Sequence, residues 1–368
     1  MGGESSREEL STPVPEPDRS MSKASRIGYH MVYTQRVRQG KSLLAFLKRA
    51  SSARPNVSDV LAFILNAQYQ KGYRMVHVTK IPGQMKADVF GTIKTIYQGF
   101  FTKQEVTYGF SGQPSVQWEL RAVRSWLPVV VQALTRQQFV IVSPAEIADV
   151  ITHSTQDGER LISASMSWQT RETVTTGEMA SGDSSDSCGE AKVVDLFFEV
   201  PSPPQLDTYQ YDLTLTKVKV TYSRFGSYSY PHLECDWLTT MTRHLDQGWR
   251  LVDIVIRLPS LEDQRAGDNS VDCIPTAVDS VWIWERPTAH AHDPTPRYEG
   301  TIVEHPVHVK ELSLGRGVKG RPRWGTVIRN MGKSAWELAC VVDTHTNSKA
   351  RNGTVVLKCL LFFQRPIM

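Results

Sequence analysis

The 368-residue sequence has no long hydrophobic run: nothing approaches the ~20 consecutive apolar residues that a membrane-spanning helix needs. The N-terminus also lacks a signal-peptide core. Cysteine is scarce. Cys188, Cys235, Cys273, Cys340 and Cys359 are odd in number and no two have CxxC spacing, which argues against a disulfide framework and a cysteine zinc site. A reducing, intracellular compartment suits this usage best. A strong excess of one charge is lacking too. The net charge of +4 is compatible with an anionic partner but far below that of a dedicated nucleic-acid binder. The signatures of chemistry are missing as well: there is no HExxH, nucleophile elbow or Walker loop. The ten histidines do not cluster; His290 and His292 lie in a Pro-rich connection, and His305 and His308 flank Pro306 in a strand-like run. No catalytic residue, metal or cofactor is expected.

What is present is a globular composition, 40% hydrophobic and 22% charged, enough to bury a large core. Residues 1–25 are rich in Ser, Pro and Glu and read as a disordered tail. Residues 170–192, dense in Ser, Thr, Gly and acid, read as a flexible linker between halves at 26–169 and 193–368.

The two halves contain internal echoes. Trp237 precedes Trp249 by twelve residues, and Trp324 precedes Trp336 by twelve; Leu251 and Leu338 each follow two residues on. "SVWIWERP" (280–287) and "KCLLFFQRP" (358–366) end alike in Arg-Pro. Fainter counterparts are "LAFILNAQYQKGYRMVHV" (61–78), with Tyr73 in the place of Trp249, and "WLPVVVQALTRQQFVIVS" (126–143), with Phe139 there but no glycine before it. Each is preceded by a strand-like run. The grammar is strand, helix, strand, strand, four times, as two pseudo-duplicated halves. Helical spacing of Trp237, Leu238, Met241 and Leu245 and the terminating glycines Gly72 and Gly248 support it. Asp236 is placed to cap the helix. Leu251, Ile254 and Ile256 alternate as an inward strand face. The expected fold is α+β, with antiparallel sheets and helices packed on one face. Tyr73, Phe139, Trp249 and Trp336 read as packing junctions, not cofactor contacts.

Three features bear on partners. "MGGESS" satisfies the N-myristoylation pattern, with Gly2 as the acceptor and Ser6 as the hydroxyl residue. One myristoyl chain anchors only marginally, and residues 2–26 hold four basic and five acidic side chains and no cysteine. The second feature is "QRVRQGKSLLAFLKRASSARP" (35–55), where Arg36, Arg38, Lys41, Lys48 and Arg49 surround Leu43, Leu44, Phe46 and Leu47. Such a segment suits an anionic lipid surface, or its apolar face packs on the protein's own core. The third is "GRGVKG" (315–320). It matches GxGxxG literally, but lacks the strand-before, helix-after context and the downstream acid of a dinucleotide site. With Arg316, Lys319, Arg321 and Arg323 it reads as a basic surface loop able to contact a phosphate, a lipid headgroup or nucleic acid.

From "LECDWLTTMTRHLDQGWRLVDIVI" through "VDSVWIWERP", "RYEGTIVEHPV" and "SAWELACVVD" to "CLLFFQRP", the C-terminal half resembles the raftlin family, and "VLAFILNAQYQKGYRMVHV" with "LPVVVQALTRQQFVIVSP" extends the likeness. The resemblance implies a non-enzymatic peripheral protein of the cytoplasmic leaflet in lipid rafts. It also implies an N-terminal Met-Gly-Cys anchor and a part in immune-receptor and toll-like receptor signalling and in uptake of double-stranded RNA. Gly2 matches the acylated glycine, whereas Gly3 stands where the family's palmitoylated cysteine would be. The family's long C-terminal tail is not seen either, so a short or divergent member is expected. Anionic lipids and signalling receptors or adaptors are the expected partners. Two other readings stay open: a soluble module holding an anionic ligand such as RNA through the 316–323 loop, and an enzyme whose pocket the sequence does not reveal.

Overall fold

The computed structural model describes residues 38–40, 57–87, 93–103, 116–131, 138–141, 143–172, 189–203, 208–225, 228–256, 277–311, 317–320, 322–349 and 354–367. The N-terminal tail, Gly2, Arg36, Lys41, Lys48, Arg49, Arg316 and Arg321 lie outside them.

Long amphipathic strands dominate, as the apolar alternation requires. In chain order the elements are β1 (Arg38–Gly40), α1 (Val57–Tyr69), β2 (Tyr73–Ala87), β3 (Ile93–Lys103), β4 (Gln117–Val131), β5 (Gln138–Ile141), α2 (Ala145–Gln156), β6 (Arg160–Glu172) and β7 (Gly189–Ser202). There follow β8 (Tyr209–Phe225), β9 (Tyr228–Glu234), α3 (Trp237–Leu245), β10 (Arg250–Ile256), β11 (Ala277–Pro287), β12 (Tyr298–Glu311), β13 (Gly317–Gly320), α4 (Gly325–Lys333), β14 (Glu337–Lys349) and β15 (Thr354–Pro366). One sheet runs β1-β3-β2-β13-β12-β15-β14; the other runs β6-β7-β4-β5-β11-β8-β9, with β10 on β11. Pairing is antiparallel except between β5 and β11. The class is α+β.

Each helix is followed by two strands that pair with each other: β2 with β3, β6 with β7, β10 with β11, and β14 with β15. A long strand upstream of each of α2, α3 and α4, separated from it by a further strand, pairs with the second of the two, β4 with β7, β8 with β11 and β12 with β15, as the short β1 before α1 does with β3. A shared core of fully buried side chains joins the sheets, with Trp282 and Trp284 of β11 stacked at 5.5 Å and Phe362 of β15 edge-on to Trp282. α3 lies across β12, where a Cβ on Gly300 would meet Leu245 Cδ1 at 2.5 Å.

The structure corrects several expectations. Residues 126–131 are not helical but form the end of β4, residues 132–137 lie outside the described residues, and Phe139 sits inside β5. The helix of that region is α2, farther along, and its terminating glycine is Gly158, followed by Glu159 instead of an aromatic residue. The proposed linker joins strands of one sheet, because Thr170, Arg171 and Glu172 pair with Lys192, Ala191 and Glu190. Residues 173–188 of that segment lie outside the described residues. β10 does not alternate either: Leu251 to Val255 are all buried, since it is covered on both faces.

The helix ends follow the expected chemistry. Asp236 caps α3, its carboxylate accepting from Thr239 N at 3.3 Å. Gly72, Gly158 and Gly248 have φ of 78°, 80° and 81°, the left-handed conformation that glycine adopts without strain. α3 and α4 close with the same pair of bonds. Trp249 N donates to His244 O and Gly248 N to Leu245 O; Trp336 N donates to Met331 O and Ala335 N to Gly332 O. Ala335 holds the glycine's place at φ 61°. Trp249 and Trp336 each lie under the Arg-Pro that ends the following strand pair. Arg286 sits 4.2 Å above Trp249, and Arg365 4.5 Å above Trp336, which explains the recurrence of Trp with Arg-Pro.

Ala335→Gly should therefore stabilise the protein by about 1 kcal/mol by releasing a left-handed alanine. Gly248→Ala should cost about 1–3 kcal/mol, since it adds strain and brings a methyl to 2.9 Å from Thr295 O. Urea unfolding midpoints check both; equal midpoints for Ala335→Gly and wild type would contradict the strain.

Candidate functional site: a sealed polar centre

The first strand after each helix carries a β-bulge near its start. The register slips between Met75 and His77, Leu161 and Ser163, Leu251 and Asp253, and Leu338 and Cys340. A bulge turns the next side chain and increases local twist. Here it brings β2, β6, β10 and β14 together at one point. The residue after each bulge is His77, Ser163, Asp253 or Cys340, and none is more than 2% exposed.

The carboxylate of Asp253 organises this point. Its Oδ2 accepts from Ser163 Oγ and Ala164 N, both at 2.8 Å, and its Oδ1 accepts from Ile254 N at 2.8 Å. His77 Nδ1 lies 3.1 Å from Ser163 Oγ and 3.3 Å from Asp253 Oδ2. On its far side, His77 Nε2 accepts from Val341 N at 3.2 Å. That acceptor role places the ring proton on Nδ1, facing the serine and the carboxylate. Val78 N donates to Ser163 Oγ at 3.3 Å, and Phe100 stacks on the imidazole. Burial pushes the Cys340 thiol well up, and the nearby Asp253 charge adds to the shift, so it is no nucleophile.

His77, Ser163 and Asp253 are the residue types of a hydrolytic triad, but the wiring is different. In a triad the histidine bridges nucleophile and acid through its two nitrogens. Here one nitrogen faces both partners, the serine donates directly to the carboxylate, and the other nitrogen is committed to a backbone amide. Ser163 is fully buried, so no substrate reaches its hydroxyl. The arrangement joins strands; it does not turn over a substrate. Among the described residues no group of three or more His, Cys, Asp or Glu side chains could hold a metal ion.

A chain of buried ion pairs extends from the centre. Glu199 of β7 accepts from Arg74 Nε at 3.1 Å and from Tyr69 Oη at 2.8 Å. Glu285 of β11 accepts from Arg160 Nε at 3.1 Å and also from Arg250, whose Nη2 reaches Glu337 at 3.2 Å. Gln364 of β15 continues the pattern, its amide bonding both N and O of Leu251 at 2.9 and 2.8 Å. Burial by itself would raise the Glu285 pKa, but the guanidiniums of Arg160 and Arg250 outweigh it and hold the carboxyl below its ordinary 4.5.

The sequence-derived positions fall elsewhere. Tyr73 opens β2, Trp249 stands between α3 and β10, Trp336 between α4 and β14, and Phe139 lies inside β5. Arg38 opens β1, Lys319 lies in β13, and Arg323 is exposed just before α4. The polar centre was missed because its four residues differ in type. A signal was present, however: "RMVH", "RLIS", "RLVD" and "ELAC" each put a polar or sulfur residue two places after Leu or Met in an apolar strand.

The fold is that of a two-sheet α+β module with a sealed polar centre where strands of both sheets meet, and no helix among the described residues is long and apolar enough to cross a membrane. The family model described as Raftlin matches residues 139–368, more than half of the chain, so this protein belongs to the raftlin family. Similar relatives are the Raftlin of Gallus gallus, 25% identical over 46% of this chain and 25% of the relative, and that of Mus musculus, 24% identical over 47% and 28%. The Raftlin of Homo sapiens is 24% identical over 37% and 21%. The matched part thus spans about a quarter of those relatives' length. None of these matches names an enzymatic activity. No solved structure matches the chain.

Replacing the buried Glu285 with Gln leaves two half-buried guanidiniums short of a counter-charge and should cost about 3 kcal/mol in chemical denaturation. The pH dependence has a definite sign. Because the folded pKa of Glu285 is depressed, its contribution is fully present above 4.5 and is lost as pH falls through the folded value. Below pH 4.5 the stability gap between wild type and Glu285→Gln should therefore narrow. A constant gap down to pH 3 would refute the assignment.

Proposed function

We propose that this protein is a non-enzymatic peripheral membrane scaffold or adaptor. It works at the cytoplasmic face of raft membranes and in the adjoining cytoplasm, supporting receptor signalling or trafficking. The carrying observation is the raftlin-family match over residues 139–368. The sealed centre supports it, because its triad-type residues are spent on joining strands. Anionic lipids are the membrane partner, and Gly2, within "MGGESS", is the lipid acceptor. Gly3 supplies no second acyl site, so the cations Arg36, Arg38, Lys41, Lys48 and Arg49 carry the second signal. In cells with N-myristoyltransferase, intact mass should show the myristate and fractionation should place the protein with membranes. Gly2→Ala should move most of it to the soluble fraction. An unmodified, soluble wild type would sink this reading.

The four strand-helix-strand-strand units are read as copies of one module, in two pseudo-duplicated halves. The shared strand order, the four bulges and the four left-handed helix ends support that reading. On it, Gly158→Ala should destabilise the protein about as much as Gly248→Ala, within about 1 kcal/mol; a cost near zero at Gly158 would count against it.

A further inference from the structure

The outer face of α4 differs from the rest of the surface. From residue 312 to residue 336 there is no Asp or Glu, and six cations occur: Arg316, Lys319, Arg321, Arg323, Arg329 and Lys333. Arg323, Arg329 and Lys333 are exposed, with Thr326 and Asn330 exposed between them, while Trp324, Ile328 and Met331 face the core. Arg329 and Lys333 lie about one turn apart on one side of α4, roughly 6 Å along its axis, and Arg323 precedes its first turn. Arg329 Nε touches only the Gly325 carbonyl, at 3.2 Å, and none of the three makes an ion pair among the described residues. Several surface cations elsewhere are matched, as in Lys219–Glu234, Arg297–Asp293, Lys358–Glu304 and Arg365–Glu299. The other helices contain acids or are flanked by them: Asp59 in α1, Glu146 and Asp149 in α2, and Asp236 and Asp246 at the ends of α3.

The strand leading into α4 adds to the positive charge. Lys319 of β13 stands opposite Lys310 of β12, and Gly317 beside it stands opposite Lys86 of β2.

The geometry points to the α4 face, with Arg323, Arg329 and Lys333 at its centre, as a docking surface for an anionic lipid bilayer. This rests on the peripheral-membrane reading above and extends it from the N-terminal segment to the folded body. A convex helix side with separated, unpaired cations matches a diffuse layer of headgroup charge, each cation near the leaflet strengthening attachment. Single-stranded nucleic acid would call for exposed aromatic side chains for the bases. The tryptophans of this region, Trp324 and Trp336, are 1% and 5% exposed.

The test uses the purified, unmyristoylated full chain in co-sedimentation with phosphatidylcholine vesicles, with and without phosphatidylserine. A triple variant, Arg323→Gln, Arg329→Gln and Lys333→Gln, is run alongside. Binding should need phosphatidylserine and weaken with salt. Roughly fivefold per cation predicts a loss on the order of a hundredfold for the triple variant, and its melting temperature should be unchanged because all three side chains are exposed. A triple variant that binds like wild type would overturn the assignment of this face, as would a wild type that ignores the vesicles. Tighter, equally salt-dependent binding to an RNA duplex, abolished in the same variant, would reassign the face to nucleic acid. The membrane reading itself stands or falls separately, on the fractionation of wild type and Gly2→Ala.

Discussion

One buried carboxylate carries more of this architecture than any other group. Asp253 sits where four strands converge and takes hydrogen bonds from Ser163 Oγ, Ala164 N and Ile254 N while facing the His77 ring. A charge taken out of water is costly unless its acceptor sites are filled by donors. Three bonds at 2.8 Å do this, and two of them come from β6 across to β10. His77 then ties β2 to β14 through Val341 N. Neither sheet ladder contains these links, so the sheets are held at their meeting point by side chains. Satisfied polar networks of this kind specify one packing, because any slip of a strand leaves a buried donor or acceptor unpaired.

The ion pairs around that point extend the same logic. Arg74, Arg160 and Arg250 occupy matching places just after a helix, and Glu199 and Glu285 occupy matching places near the end of a following strand. Each arginine reaches an acid on an element later in the chain. Gln364 stands in the matching place of β15 and bonds the Leu251 backbone, so β10 and the last two strands are joined by neutral hydrogen bonds as well as by the Arg250–Glu337 pair.

With the interior committed to this locking, the remaining free charges lie at the surface. The interior cations are bound to carboxylates, as are several on the surface; those on α4 are not.

Much of this was legible from residue order alone. Helical spacing identified α1 and α3, glycine marked two of their ends at Gly72 and Gly248, and Asp236 announced a cap. These are local effects: hydrogen bonds and dihedral preferences acting within a few residues. The second unit was misplaced because Leu127 to Val131 is a run of apolar residues around Pro128, which suits a buried strand as well as a helix, and because Glu159 replaces the aromatic guide after Gly158. By itself, then, the sequence determined the α+β class, the helix ends and the family. Only the tertiary structure decided that residues 170–192 join paired strands, that His77, Ser163, Asp253 and Cys340 meet, and that the α4 cations stay unpaired. Each of those depends on contacts between segments tens to hundreds of residues apart, where burial and charge compensation act through space and leave no period along the chain.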